Sequence, residues 1–417
     1  MAPLQSAAAH GAFLSGKALR SIWRILRVAT VAASSTRSVV GLVNLDNNAT
    51  TQPSRLVRES VADALSADWF GNASSPNARG ARARQKIEAA REAVAALTGA
   101  DPFQVLFTSG CTEGNNTVLR IALESPRRLI TTQTEHASVE DVAAWLEELG
   151  VEVVRLSGID GVVKLDDLSA ALEKPASLVS VHWANSETGV LQPIREIAQL
   201  CHQAGVPLHV DAAQAVGRER IEFNALGLNY LTFSGHKLHA PQGIGALIAR
   251  RTKTLPQLLR GGDQEDGRRA GTENLPGITG LAAACEERAK VFQEAVAHMQ
   301  RLRDRFEASV LKAVSGAQVN AGTAPRVCNT TNIRFPIDGQ ALIAQLSARN
   351  VICSQTSACS SRSPEPSKVL TAIGLSQNEA YSSVRFSFSA MNFDQDVEVA
   401  VQAIVRACER LHDLEAF

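Results

Sequence analysis

Leu208-His209-Val210 runs straight into Asp211-Ala212-Ala213-Gln214, and Tyr230-Leu231-Thr232-Phe233 runs into Ser234-Gly235-His236-Lys237. Each is a short, mostly apolar run that stops abruptly in small and polar residues, the pattern of a buried strand giving way to a loop. A carboxylate thus stands at one strand end and a lysine at the next. In open α/β sheets ligands bind beyond the carboxyl ends of strands, so the two side chains are candidates for one site. A lysine amine that bonds an aldehyde, together with an acid that keeps a ring nitrogen protonated, is what pyridoxal 5'-phosphate requires. Each residue alone has plainer uses, the aspartate as a helix cap and the lysine as a solvated loop residue.

Working outward, the same pattern recurs. Val105–Thr108, Arg128–Thr132, residues 151–156 and Leu178–His182 read as strands, and residues 246–250 as one more after the turn Gly243-Ile244-Gly245. Residues 57–67 and 81–97 read as amphipathic helices, the second closing at Gly99, and Ile194–Ala204 as another. Strands alternating with helical segments imply βαβ units and a mostly parallel sheet in an α/β fold. A long helix over residues 275–314 then leads into a smaller α+β region. The expected organisation is a basic extension over residues 1–42, a large domain over 43–300 whose first residues pack with the small domain, and a small domain over 301–417.

Composition narrows the function classes. The 417 residues carry 42 basic and 42 acidic side chains, a balance that argues against nucleic acid, whose phosphates select a basic surface. Seven scattered cysteines without a CxxC pair read as reduced thiols, not as a disulfide framework or a metal site. No apolar run has the length of a membrane-spanning helix, so no membrane partner is expected. Residues 1–45 contain Lys17, Arg20, Arg24, Arg27 and Arg37 but no acid. This stretch reads either as a mitochondrial presequence, or as a basic surface helix, or as a poorly ordered extension of a cytoplasmic protein.

Two further segments bear on an anionic, ring-shaped ligand. Phe107-Thr108-Ser109-Gly110-Cys111-Thr112-Glu113 passes from a strand to a helix expected to start at Thr112, where backbone N–H groups and hydroxyls can hold a phosphate. The same residues would also serve an ordinary capped turn. His136 follows another strand candidate and could stack on a ring or carry a proton.

Taken together, Leu45-Asp46-Asn47-Asn48-Ala49-Thr50-Thr51, Phe70-Gly71-Asn72-Ala73-Ser74-Ser75, Ala184-Asn185-Ser186-Glu187-Thr188-Gly189, Asp211-Ala212-Ala213-Gln214, Ser234-Gly235-His236-Lys237 and Arg268-Arg269-Ala270-Gly271-Thr272-Glu273-Asn274 resemble the cysteine desulfurases of the class V aminotransferase group, and the nitrogen-fixation type most of all. The resemblance runs in order from about residue 43 to the C-terminus. It implies the fold type I architecture of pyridoxal phosphate-dependent transferases and a homodimer. It assigns Lys237 to the cofactor aldehyde, Asp211 to the ring nitrogen, Gln214 and Asn185 to the ring's phenolic oxygen, and His136 to the ring face. Thr112, Ser234 and His236, with backbone near Cys111, would hold the phosphate, joined by Thr272 of the neighbouring subunit. Arg385, in Ser383-Val384-Arg385-Phe386-Ser387, would bind the substrate carboxylate, a role that suits a planar bidentate donor.

Ser357-Ala358-Cys359-Ser360 matches the loop that sets a desulfurase apart from an aminotransferase. A cysteine among serines, away from apolar periodicity, reads as an accessible nucleophile, although free cysteines are often small core residues. Catalytic Cys359, Lys237 and His136 would convert L-cysteine to L-alanine and leave a persulfide for an iron–sulfur scaffold or another thiol acceptor. A selenocysteine lyase, or another class V lyase or aminotransferase, is the alternative. Asn77, Ser186 and Thr356 depart from the residues usual in the family (His, Asn and Gly), and Cys353 could be either a resolving thiol or a buried strand residue.

Overall fold

The computed structural model describes residues 41–66, 70–355 and 365–415. Its central sheet contains β1 (Val105–Thr108), β2 (Arg128–Thr132), β3 (Glu152–Leu156), β4 (Leu178–His182), β5 (Leu208–Asp211), β6 (Tyr230–Ser234) and β7 (Gly245–Ala249), in the spatial order β1-β7-β6-β5-β4-β2-β3. From β6 to β3 the neighbours are parallel. Strand β7 is antiparallel to both β1 and β6. The short segment between β6 and β7 leaves no room for the crossover helix that a parallel pair needs, so the chain reverses.

Burial explains why the strand runs are apolar throughout. Every residue of β1, β2, β4, β5, β6 and β7 is buried, as expected of a sheet with helices on both faces. Alternate side chains sort to the two faces: Phe107 joins one core cluster while Leu106 joins the other. The helices of this region are α1 (Arg55–Ala64), α2 (Ala78–Thr98), α3 (Cys111–Leu119), α4 (Ala137–Glu148), α5 (Leu165–Leu172), α6 (Ile194–Ala204) and α7 (Leu275–Lys290). Helix α1 begins earlier than its apolar spacing indicates because Ser54 caps it, its hydroxyl accepting from the Val57 N–H at 3.2 Å. Asn77 caps α2 in the same way, accepting from Gly80 N at 3.0 Å, and Gly99 closes α2 in the left-handed conformation at φ 64°. One position where the sequence departs from the pattern it resembles is therefore a helix cap.

Residues 275–314 do not form one helix. Helix α7 ends at Lys290 and α8 (Phe292–Ala313) follows, with Val291 between them at φ −122°, ψ 23°. Neither glycine nor proline marks the break. Its cause lies in what each half buries: α7 sends Leu275, Ile278 and Leu281 into the core under the large sheet, while α8 sends Leu302, Phe306 and Val310 into a separate core.

That second core is built on three antiparallel strands, Gln318–Val319, Thr330–Arg334 and Ser383–Ser387. Phe306 sits between Phe386 and Phe388, with ring centroids 4.8 and 5.5 Å away. Val43 and Leu45 are buried in the same cluster, and Val43–Asn44 pairs in parallel with Val351–Ile352. Cys353 follows that strand, is 7% exposed, and has its thiol pushed up above the ordinary range by burial and then by Asp46. It is a core residue, not a resolving thiol. Among the described residues, no helix is long and apolar enough to cross a membrane.

Candidate active site

The sheet register builds the floor of one pocket. Parallel pairing sets His182 at the end of β4 opposite Asp211 at the end of β5, and Asp211 opposite Thr232 on β6. Strand β6 then ends at Ser234, and a tight 3₁₀ turn over Gly235–Lys237 carries the lysine back over the strand ends. The resulting pocket, about 820 Å³ counted to its open mouth, is lined by Asp211, Lys237, His136, Asn185, Gln214 and Arg385, and on a second side by Cys111, Thr112, Ser234 and His236. Residues up to 337 positions apart in sequence, from Asn48 to Arg385, therefore converge on one cavity.

Asp211 is buried and accepts three hydrogen bonds, which leaves its carboxylate capacity for one more donor. Its Oδ1 accepts from Ala213 N at 2.9 Å and from the Cys111 thiol at 3.2 Å, and its Oδ2 accepts from Asn115 Nδ2 at 2.7 Å. Burial and the adjacent carboxylate push the Cys111 thiol well up, so it remains a neutral donor. The Lys237 ammonium donates to the carbonyls of Asn48 and Ala49, the latter at 2.7 Å.

Helix α3 opens at Cys111, one residue before the expected start. Its N-cap, Gly110, has φ 156°, and a Cβ there would lie 3.1 Å from Ser234 Oγ. The Ser234 hydroxyl accepts from Cys111 N at 2.8 Å. By helix geometry the first-turn N–H groups have no carbonyl inside the helix, and here they sit beside Thr112, Ser234 and His236. Burial, reinforced by Lys237, lowers His236 to about 4, so its imidazole is neutral.

His136 caps α4. Its Nδ1 accepts from Ser138 N at 3.1 Å and lies 2.9 Å from Ser138 Oγ. Two donors thus face Nδ1, the backbone N–H and the hydroxyl of Ser138, and together they favour the ring proton on Nε2. Burial lowers its pKa, with Asp211 opposing. Asn185 is held as a turn cap: its Oδ1 accepts from Glu187 N and Thr188 N, and its Nδ2 donates to Thr134 O at 3.0 Å. Gln214 donates to Asn48 O at 3.1 Å and accepts from Arg218.

Arg385 is 1% exposed and points into the pocket from the second core. Its Nη1 donates to the Ser186 carbonyl at 3.0 Å and its Nη2 to Asp46 Oδ1 at 2.6 Å, while no hydrogen-bond partner is present for its Nε among the described residues. Ser186, a second departure from the family pattern, meets Arg385 through its main chain, so its side-chain identity is not felt in that contact. Thr272 is exposed and does not line the pocket of this chain. Cys359 and Thr356 lie outside the described residues. Sequence reasoning missed Asn115, Ser138, His182 and Glu135 around the site. Asn115 alone carried a signal, four residues after Cys111 and hence on the same helix face.

Comparison with known proteins fits this geometry. The family described as aminotransferase class-V matches residues 43–399. A cysteine desulfurase of Nostoc sp. is 41% identical over 91% of this chain and 96% of its own length. This chain belongs to the class V aminotransferases, among the cysteine desulfurases. The desulfurase of Gluconacetobacter diazotrophicus is 38% identical over 90% of this chain and 95% of its own. Among solved structures, a NifS-like protein from Rickettsia africae superposes with a TM-score of 0.81 at 30% identity, covering 88% of this chain and 99% of that one. DndA from Streptomyces lividans does so at 0.68 and 33%, covering 82% and 98%. The sheet order and the second core described above are thus those of a class V enzyme with the fold type I architecture.

Proposed function

We propose that this class V enzyme takes the sulfur of L-cysteine, releases L-alanine, and passes the sulfur through a persulfide on Cys359 to a thiol acceptor such as an iron–sulfur scaffold. The observation that carries this reading is the convergence of Lys237, Asp211, His136 and Arg385 on one pocket from four separate elements. The net change balances without an outside oxidant: cysteine and an enzyme thiol become alanine and an enzyme persulfide. The bacterial sources of the relatives support the cytoplasm as the compartment.

The residues present fit pyridoxal 5'-phosphate. The pocket offers a lysine amine, a buried carboxylate and a glycine-capped helix N-terminus flanked by hydroxyls, the donor set that an aldehyde, a ring nitrogen and a phosphate call for. Lys237 would hold the aldehyde, Asp211 the ring nitrogen, Thr112, Ser234 and His236 the phosphate, and Gln214 and Asn185 the phenolic oxygen. When bound, the group supplies an electron sink for the substrate's Cα.

The chain's own groups do the rest. Arg385 holds the substrate carboxylate with the N–H groups that Asp46 and Ser186 leave over. Lys237 Nζ removes and returns the Cα proton. His136, with its proton on Nε2, presents a donor to the pocket and exchanges protons with the sulfur. The Cys359 thiolate receives that sulfur.

We also assign residues 43–300 to a large cofactor-binding domain, whose first residues pack with the small domain, and 301–417 to that small domain, on the strength of the two separate cores. A second copy would complete the site: Thr272 is exposed, and the buried Glu273 Oε2 lacks a hydrogen-bond partner among the described residues. The deciding experiment is alanine formation from L-cysteine by the full chain with added pyridoxal 5'-phosphate and a reductant. Alanine matched by sulfide supports the reading. Alanine from selenocysteine but not from cysteine overturns it in favour of a selenocysteine lyase.

A further inference from the structure

Asn115 lies in the first helical turns beside the pocket, is 0% exposed, and has no role in the chemistry described so far. Its amide makes three short hydrogen bonds. Nδ2 donates to Asp211 Oδ2 at 2.7 Å and to Ser138 Oγ at 2.9 Å, and Oδ1 accepts from Thr232 Oγ1 at 2.6 Å. The opposite orientation of the amide would set two oxygens 2.7 Å apart at Asp211, so the amide has one allowed orientation.

That orientation propagates. Because Ser138 Oγ accepts from Asn115, its own proton is left to point at His136 Nδ1, 2.9 Å away. His136 Nδ1 then faces two donors, the hydroxyl and the backbone N–H of Ser138. On the other side, Thr232 Oγ1 gives its proton to Asn115 and can accept from His209 Nε2 at 3.1 Å. A single amide thus stands between the carboxylate on β5 and the imidazole at the head of α4. We propose that Asn115 is a positioning residue that acts on two groups at once, the Asp211 carboxylate directly and the His136 ring through the Ser138 hydroxyl, one of the two donors that set its tautomer.

The charged and titratable groups facing His136 are Asp211, Lys237, Glu135 and Asp141; those facing Asp211 are Cys111, His136 and His209. None of them replaces the amide, because among the described residues only Asn115 donates to both Asp211 and Ser138. The inference rests on the pyridoxal phosphate reading for one of its two measurements, and the other stands without it.

The experiment compares the full chain with Asn115→Leu, Asn115→Asp and Ser138→Ala. The first measurement is the ¹⁵N spectrum of the His136 ring, taken with no added cofactor and assigned by the peak missing in His136→Gln. The second is the pH titration of the visible band after loading with pyridoxal 5'-phosphate. In the unmodified chain the ring proton is expected on Nε2. Asn115→Leu and Asn115→Asp are expected to populate the other tautomer and to move the band's apparent pKa by about one unit, since the carboxylate loses a donor or gains a like charge. Ser138→Ala should disturb the ring alone and leave the band in place, a split that a merely structural role would not produce. Asn115→Leu should also lower kcat about tenfold with KM little changed. Should Asn115→Leu not fold, the near-isosteric Asn115→Asp and the small truncation Ser138→Ala decide. A ring proton on Nδ1 in the unmodified chain, or an unmoved tautomer and band in the folded Asn115 variants, overturns the proposal. Failure of the unmodified chain to take up the cofactor would instead count against the proposed function, with the ring spectrum still judging Asn115.

Discussion

Arg385 and Asp46, 339 positions apart in sequence, form an ion pair at the edge of the pocket, with Nη2 2.6 Å from Oδ1. Asp46 does more than neutralise the arginine. Its other oxygen accepts from Ser354 Oγ at 2.7 Å, so one carboxylate holds both the guanidinium and the backbone that follows Val351–Ile352. A buried guanidinium without its counter-ion is costly, because breaking such a pair leaves an uncompensated charge.

Asp46→Asn should therefore lower stability by about 2–4 kcal/mol, somewhat less than for a fully enclosed pair, because Asp46 keeps some solvent contact. Thermal denaturation of the unliganded protein checks this. A carboxylate ligand such as L-alanine should then stabilise the variant more than the unmodified chain, since it supplies the missing negative charge. Equal stabilisation of the two proteins by alanine would rule out Arg385 as the carboxylate site.

Cys359→Ser tests the sulfur step apart from the cofactor. All the residues that would hold pyridoxal 5'-phosphate lie elsewhere, so the variant should retain the yellow cofactor and its binding stoichiometry. Persulfide labelling and alanine formation from cysteine should both fall to background, because a hydroxyl cannot carry the sulfur. Unchanged sulfur transfer would sink the role of Cys359.

Much of this architecture was legible in the chain because buried parallel strands are written as short unbroken apolar runs. Asp211 and Lys237 could be read from the residues that end two such runs. What the pattern could not show were choices made by distant partners. The break at Val291 leaves no mark because helical spacing continues through it while the core beneath changes. The pairing of Asp46 with Arg385, and of Asn115 with Asp211 and Ser138, depends on side chains brought together by sheet register. Polar residues of that kind look alike in sequence whether they cap a turn or organise a site.

Gly217 gives a test of packing next to the site. It has φ +79°, and a Cβ there would come within 2.2 Å of Leu238 Cδ1, in the residue that follows Lys237. Gly217→Ala combines a left-handed backbone with overpacking of a buried leucine, each costing about 1–3 kcal/mol. Denaturant unfolding should show a loss of that order. Because Leu238 must shift, cofactor affinity should fall as well, while Gly227→Ala, where φ is +73° and no atom lies within 4 Å, should cost backbone strain alone.

Stability should also decline in mild acid, and the sign follows from three histidines. Burial lowers His209, His236 and His239 to about 4 from the ordinary 6.5. Their folded-state values are depressed, so between about 4 and 6.5 the unfolded chain binds protons that the native chain does not. Unfolding free energy therefore rises with pH across that window and is lost as pH falls through it, by up to about 1.4 kcal/mol per unit for each fully buried ring. His209 is the clearest contributor: it is wholly buried, with Nδ1 2.9 Å from Ser180 Oγ and Nε2 3.1 Å from Thr232 Oγ1. Both neighbouring hydroxyls can accept from a protonated ring, Thr232 because it gives its own proton to Asn115, so the cost of charging the ring is its desolvation and not an unmet hydrogen bond. Denaturation midpoints measured down the window should fall for the unmodified chain and fall less steeply for His209→Asn. A slope between about 5 and 6.5 no steeper in the unmodified chain than in His209→Asn would show that this ring is protonated in the folded protein after all.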